Sequence, residues 1–245
     1  MERKIRVGAV SYLNTKPLIY GFEQGIMQEK IELTFDYPAK IAAALLNDEI
    51  DLGLVPVAIL PEMKEYYIIG DHCIGTEGAV ASVCLFSEVP LEQIETVLLD
   101  YQSRTSVKLA QVLMKEFWKI TPVLKSAGND FRSQIKGTTA AVVIGDRALQ
   151  QRNISTMHFD LGLAWKQHTG LPFVFAAWIS NKPLSDAFIN EFNEANDIGL
   201  QHIDEVVKAN PYTSFDLNEY YTNCISYTLT ERKREGLACF LQKLN

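Results

Sequence analysis

The sequence predicts an α/β protein built as two lobes, and three observations carry that prediction. Apolar runs of strand length alternate with longer stretches of helical periodicity, the pattern of parallel strands joined by crossover helices. Two extended apolar runs, 79–87 and 172–180, bracket a middle segment of about 90 residues. A chain of 245 residues at 47% hydrophobic can bury one large core or two small ones. Together these predict a first lobe of residues 1–87 plus 181–245, an inserted second lobe of 88–180, and two strands crossing between them. A single larger sheet is the alternative.

The elements follow in chain order. "IRVGAV" is a strand, "PLIYGFEQG" a helix with Pro17 in its first turn, "IELTFDY" a strand, "PAKIAAALLNDE" a helix opened by Pro38, and "DLGLVPV" a strand ended by Pro56. After "YYIIGD", the β-rich "GAVASVCLFSE" leads into a second unit: strand "TVLLD", helix "SVKLAQVLMKEFW", strands "TPVLKS" and "AAVVIGD", and a short helix from Arg147. "LPFVFAAWIS" is the extended return, and from Pro183 the chain reads as helical to its end.

A net charge of −7 and scattered Lys and Arg argue against nucleic-acid and membrane partners, so an anionic ligand must be held by local donors against the overall field. Cys73, Cys84, Cys224 and Cys239 show no Cys-x-x-Cys pairing and the histidines no His-x-x-x-His spacing, so no metal or other cofactor is expected. The cysteines read as small core residues in a reducing compartment, and the short, broken apolar stretch at the start does not make a signal peptide; a cytoplasmic location is expected. Nothing in the sequence specifies an oligomeric state.

Polar residues gather where strands end, which is where open α/β sheets hold ligands. "VSYLNTKPL" (Val10–Leu18) runs from a strand through Asn14 into Pro17; a capped turn is the plainer reading. "DYQSRTSVKLAQVL" (Asp100–Leu113) sets Ser103, Thr105 and Ser106 around Arg104 at a helix start, where free N–H groups and the helix dipole suit a carboxylate or phosphate. Arg104 reaches either a ligand or a nearby acid. In "VVIGDRAL", Gly145 permits close backbone approach, and Asp146 is a site residue or an N-cap. Ser82 is a lone hydroxyl in an apolar run, and Trp165 and Trp178 line a cleft or fill the core. No catalytic triad or Gly-rich phosphate loop can be read from the spacing.

Taken as an ordered set, "VGAVSYLNTKPL", "DLGLVPVA", "SVCLFS", "SRTSVKLAQVL", "IGDRAL" and "DLGLAWKQHTGLPFVFAAW" resemble the chorismate dehydratases of the futalosine route to menaquinone. The resemblance covers about 1–180 with distinctive motifs. It implies a type II periplasmic-binding-protein-like fold closing on chorismate, a small dicarboxylate, and removal of water to give 3-(1-carboxyvinyloxy)benzoate. It maps the family's Asn onto Asn14, its carboxylate-binding element onto Ser103–Ser106 and its crossing-strand Ser onto Ser82. The expected site is therefore Asn14 for catalysis, with Ser82, Ser103, Arg104, Thr105, Ser106, Gly145 and Asp146 binding substrate. A non-catalytic solute-binding protein and the sister 1,4-dihydroxy-6-naphthoate synthase are the rival readings.

Overall fold

A computed structural model describes residues 3–244. Along the chain, β1 (Ile5–Val10), α1 (Lys16–Glu23), β2 (Ile31–Asp36), α2 (Pro38–Leu46), β3 (Leu52–Pro56) and β4 (Tyr67–Thr76) come first. There follow β5 (Val83–Ser87), β6 (Thr96–Leu99), α3 (Thr105–Leu113), β7 (Val123–Ser126), β8 (Thr139–Ile144), α4 (Asp146–Gln151), β9 (Met157–Asp160) and α5 (Leu161–Thr169). The chain ends with β10 (Phe173–Ser180), α6 (Asp186–Gln201), α7 (Ile203–Ala209), the one-turn α8 (Leu217–Glu219), β11 (Ser226–Thr228) and α9 (Glu231–Gln242).

Among the described residues the strands form two sheets, one of six strands in the order β11-β4-β10-β3-β1-β2 and one of five in the order β7-β6-β8-β5-β9. In the first, β1 is parallel to β2 on one side and to β3 on the other, while β10 and β11 are antiparallel additions. In the second, β6 lies between β7 and β8, parallel to both. Strands that receive parallel neighbours on both flanks are switch points, and the crevice beyond their carboxyl ends is left open because the following helices leave in opposite directions. The ends of β1 and β6 are therefore the two places where this topology makes room for a ligand.

The α/β class holds, and several details differ from the sequence reading. Residues 77–82 carry the chain from β4 in the first sheet to β5, which pairs wholly within the second. The return runs through the turn at Gly170 into β10, which pairs wholly within the first sheet. The short strand β9 alternates Met157 and Phe159 with His158 and Asp160 over only four residues, too few to stand out from the sequence as a strand. The C-terminal region is interrupted by β11, a three-residue strand too short to disturb a helical pattern.

Both tryptophans under question are core. Trp165 packs edge-on against Phe173 and Phe240, and Trp178 against Phe22 and Phe192. Each indole N–H is satisfied internally, by the Pro172 carbonyl and by Asn196 Oδ1 respectively. Beneath the first switch point, α1 and α6 touch through Gly199: a β-carbon there would lie 1.8 Å from the carbonyl oxygen of Pro17. Among the described residues no helix is long and apolar enough to cross a membrane.

Candidate active site

The two switch points face one cleft with about 510 Å³ unoccupied by protein atoms, its mouth included. From the first sheet, the chain leaves β1 at Val10 and enters a 3-10 turn, Leu13–Thr15, before α1 begins at Lys16 with Pro17 in its first turn. That turn brings Asn14 to the cleft. The Asn14 side-chain oxygen accepts from the Thr15 hydroxyl at 3.3 Å, which leaves its amide N–H groups to meet a ligand.

From the second sheet, β6 ends at Leu99 and the loop beyond it delivers Ser103, Thr105 and Ser106 to the same cleft. Ser103, one residue ahead of the Arg104 N-cap, still ties down the first turn: its Oγ accepts the Ser106 N–H at 3.0 Å. Thr105 Oγ1 accepts the Ala58 N–H, 3.1 Å away in the segment that follows β3, so the hydroxyl ties the two sheets and keeps its own proton free. At the end of β8, Gly145 adopts φ +63 and ψ −149, a conformation open only to glycine, and lies against the Tyr12 ring.

Two expected binding residues do something else. Arg104 turns away and pairs with Glu62 at 2.9 Å, because the helix start exposes its long side chain on the outer side, where an acid waits. Asp146 lies behind the cleft and accepts the Leu13 N–H at 3.0 Å, anchoring the opening turn to the second sheet; burial raises its pKa. The neighbouring anchor is Asp100, wholly buried, which accepts from Arg147 Nη2 at 2.8 Å and from the N–H groups of Gln102 and Ile144. Burial raises the Asp100 carboxyl, with Arg147 opposing it. Tyr12 completes this joint by donating to Gln102 Oε1 and accepting from Arg147.

Ser82 lines the cleft from the crossing segment and is fully buried. Its carbonyl accepts the Gly145 N–H at 2.8 Å, and its Oγ accepts the hydroxyl of Tyr220 at 2.7 Å. A second C-terminal phenol, Tyr227, donates to the Asn14 carbonyl at 3.0 Å. Sequence reasoning missed both tyrosines, and no local signal marks them: each lies in a segment whose partner is more than a hundred residues away.

The cleft thus joins Asn14, Ser82, Ser103, Thr105, Ser106 and Gly145, and leaves out Arg104 and Asp146. Among the described residues none that lines it carries a charge, and apart from Tyr12 and Thr15 its remaining wall is apolar, with Ile74, Ile144 and Phe175 prominent. Such a surface suits a ring with polar substituents. An anion here must be held by hydroxyl, amide and helix-start N–H donors.

Comparison with known proteins gives consistent findings. A family model described as menaquinone biosynthesis matches residues 5–245. The chorismate dehydratase of Thermus thermophilus is 28% identical over 262 residues, covering 97% of this chain and 94% of that protein. Among solved structures, protein AF1704 of Archaeoglobus fulgidus superposes with a TM-score of 0.75 at 12% identity, over 98% of this chain and 96% of that one. The periplasmic aliphatic sulphonate binding protein SsuA of Escherichia coli gives 0.65 at 15% identity, over 100% and 86%. The Candida albicans CA3427 product, described as having the generic periplasmic binding protein fold, gives 0.62 at 12%, over 100% and 95%. At these identities the solved structures speak to the fold alone, and the fold is periplasmic-binding-protein-like.

Proposed function

Because the chain belongs to the menaquinone biosynthesis family, we propose that it dehydrates chorismate to 3-(1-carboxyvinyloxy)benzoate, acting as a hydro-lyase. One observation supports this most: three hydroxyls at the start of α3 face Asn14 across an uncharged, apolar-walled cleft. The two sheets are read as the cores of two lobes that close on the substrate, with Asn14 reaching it from one side and Ser103, Thr105 and Ser106 from the other.

The chemistry asks for two bonds to break, C3–H and C4–O, with the electrons of the first forming the ring's third double bond and the hydroxyl leaving as water. The ring carboxylate, conjugated through the adjacent double bond, takes up charge as the C3 proton departs. Preorganised donors at the start of α3 stabilise that charge without reorganisation. Asn14 is too weak a base to remove the proton, and its N–H groups instead orient the substrate and hydrogen-bond the departing hydroxyl. Among the described residues no carboxylate, imidazole or amine lines the cleft. The proton passes to the substrate's own enolpyruvyl carboxylate, which hands it on to the departing hydroxyl so that water leaves and the carboxylate is regenerated; an analogue lacking that carboxylate is expected to bind without turning over, and turnover at the normal rate refutes the assignment.

The activity is tested by incubating the purified protein with chorismate and following the aromatic product by absorbance and mass spectrometry. Chorismate recovered unchanged overturns the proposal and leaves the solute-binding or sister-synthase readings.

A further inference from the structure

The C-terminal segment contributes a hydroxyl to the cleft indirectly. Asp216 caps α8 by accepting the N–H groups of Asn218 and Glu219, and the chain then widens into a π-helical turn, Tyr220–Cys224. Such turns shift side chains out of the regular helical register and recur at functional sites. Here the turn drives the Tyr220 ring inward between Phe215 and Tyr221 until its hydroxyl meets Ser82, and both residues are fully buried.

Ser82 has few other commitments. Its N–H donates to the Val80 carbonyl at 2.7 Å and its carbonyl accepts from Gly145, so its hydroxyl proton is the one polar group left for the cleft. Each hydroxyl has a single proton to give. With a substrate oxygen beside Ser82, one arrangement satisfies every group: Tyr220 donates to Ser82, and Ser82 donates to the substrate. A buried chain of this kind is polarised along its length, so the outer hydroxyl becomes the stronger donor.

We propose that Tyr220 is a positioning residue, which holds the Ser82 hydroxyl as a donor aimed at an acceptor oxygen of the substrate. The inference rests on the chorismate reading above. Burial raises the Tyr220 phenol far above its ordinary range, so the relay stays protonated at any working pH. The adjacent Tyr221 supplies the contrast: it is equally buried, yet its hydroxyl has no partner among the described residues.

The test is a double-mutant cycle on chorismate turnover, using the parent chain, Tyr220→Phe, Ser82→Ala and the double variant, with melting curves on each. Tyr220→Phe is expected to raise KM about fivefold with kcat nearly unchanged, the size of one lost hydrogen bond. In the Ser82→Ala background the same change is expected to have no effect on KM, and Tyr221→Phe is expected to leave the parent KM unaltered. Equal effects of Tyr220→Phe in both backgrounds, or none in the parent, overturn the proposal. Should Tyr220→Phe fail to fold, a fluorinated tyrosine at position 220, a stronger donor of nearly the same shape, is expected to lower KM; an unchanged KM overturns the proposal equally. A parent chain inert toward chorismate sinks the functional reading and this inference together, whereas an active parent with an indifferent Tyr220 sinks the inference alone.

Discussion

Thr105 accepts a cross-sheet N–H from Ala58 and offers its own proton to the cleft. Valine has the same shape and neither ability. Thr105→Val is expected to cost about 1–3 kcal/mol of stability, because the Ala58 N–H is left buried and unpaired, and to weaken substrate binding as well. Thr105→Ser is expected to restore both, read by urea unfolding and by KM; a valine variant as stable and as tight as the parent removes Thr105 from the site. Its placement was legible because a hydroxyl at a helix start has few directions to face. Arg104 was not: its long side chain is placed by whichever acid lies within reach, and Glu62 belongs to an element 42 residues away.

At the scale of elements, the opening turn is held by what lies behind it. The backbone of Gly199 in α6 sits against Pro17 in the first turn of α1, with no space for a methyl group. Gly199→Ala is expected to push the start of α1, and Asn14 with it, toward the cleft, costing about 1–3 kcal/mol of stability through overpacking and a larger share of kcat than of KM; a variant with parental kcat refutes the coupling. At the opposite ends of these strands Asp51 joins β1, β3 and β10 by accepting the Arg6 N–H at 3.0 Å and Lys182 Nζ at 2.8 Å. Burial alone raises this carboxyl, but the bonds from Arg6 and Lys182 outweigh it and hold it well below the usual carboxylate range. A depressed pKa gives stability that is present in full above the unfolded value, about 4, and lost as the pH falls from there through the folded value. Acidification below about pH 4 is therefore expected to destabilise the parent more steeply than Asp51→Asn, which starts about 1–3 kcal/mol less stable at neutral pH; parallel pH profiles in urea melts contradict the clamp.

For the whole molecule, a net charge of −7 opposes the approach of the dianionic substrate proposed above, and among the described residues no charged side chain lines the cleft to offset it. Raising ionic strength from about 10 to 150 mM is expected to increase kcat/KM by roughly two- to threefold, since salt screens the repulsion at long range and leaves the short hydrogen bonds intact. A fall in kcat/KM over that range points instead to a cationic seat and removes the neutral-donor account of binding.

The amino-acid sequence alone determined the α/β class, most of the strands and helices, and the gathering of Asn14 and the Ser103–Ser106 hydroxyls at strand ends. Periodicity, prolines and caps act between near neighbours, so a linear reading captures them. The meeting of the two strand ends in one cleft was decided in three dimensions. So were the diversion of Arg104 to Glu62 and of Asp146 to the Leu13 N–H, and the arrival of Tyr220 at Ser82 across 138 positions. Each of these depends on which distant segment packs alongside, and a buried polar group takes the partner that packing supplies.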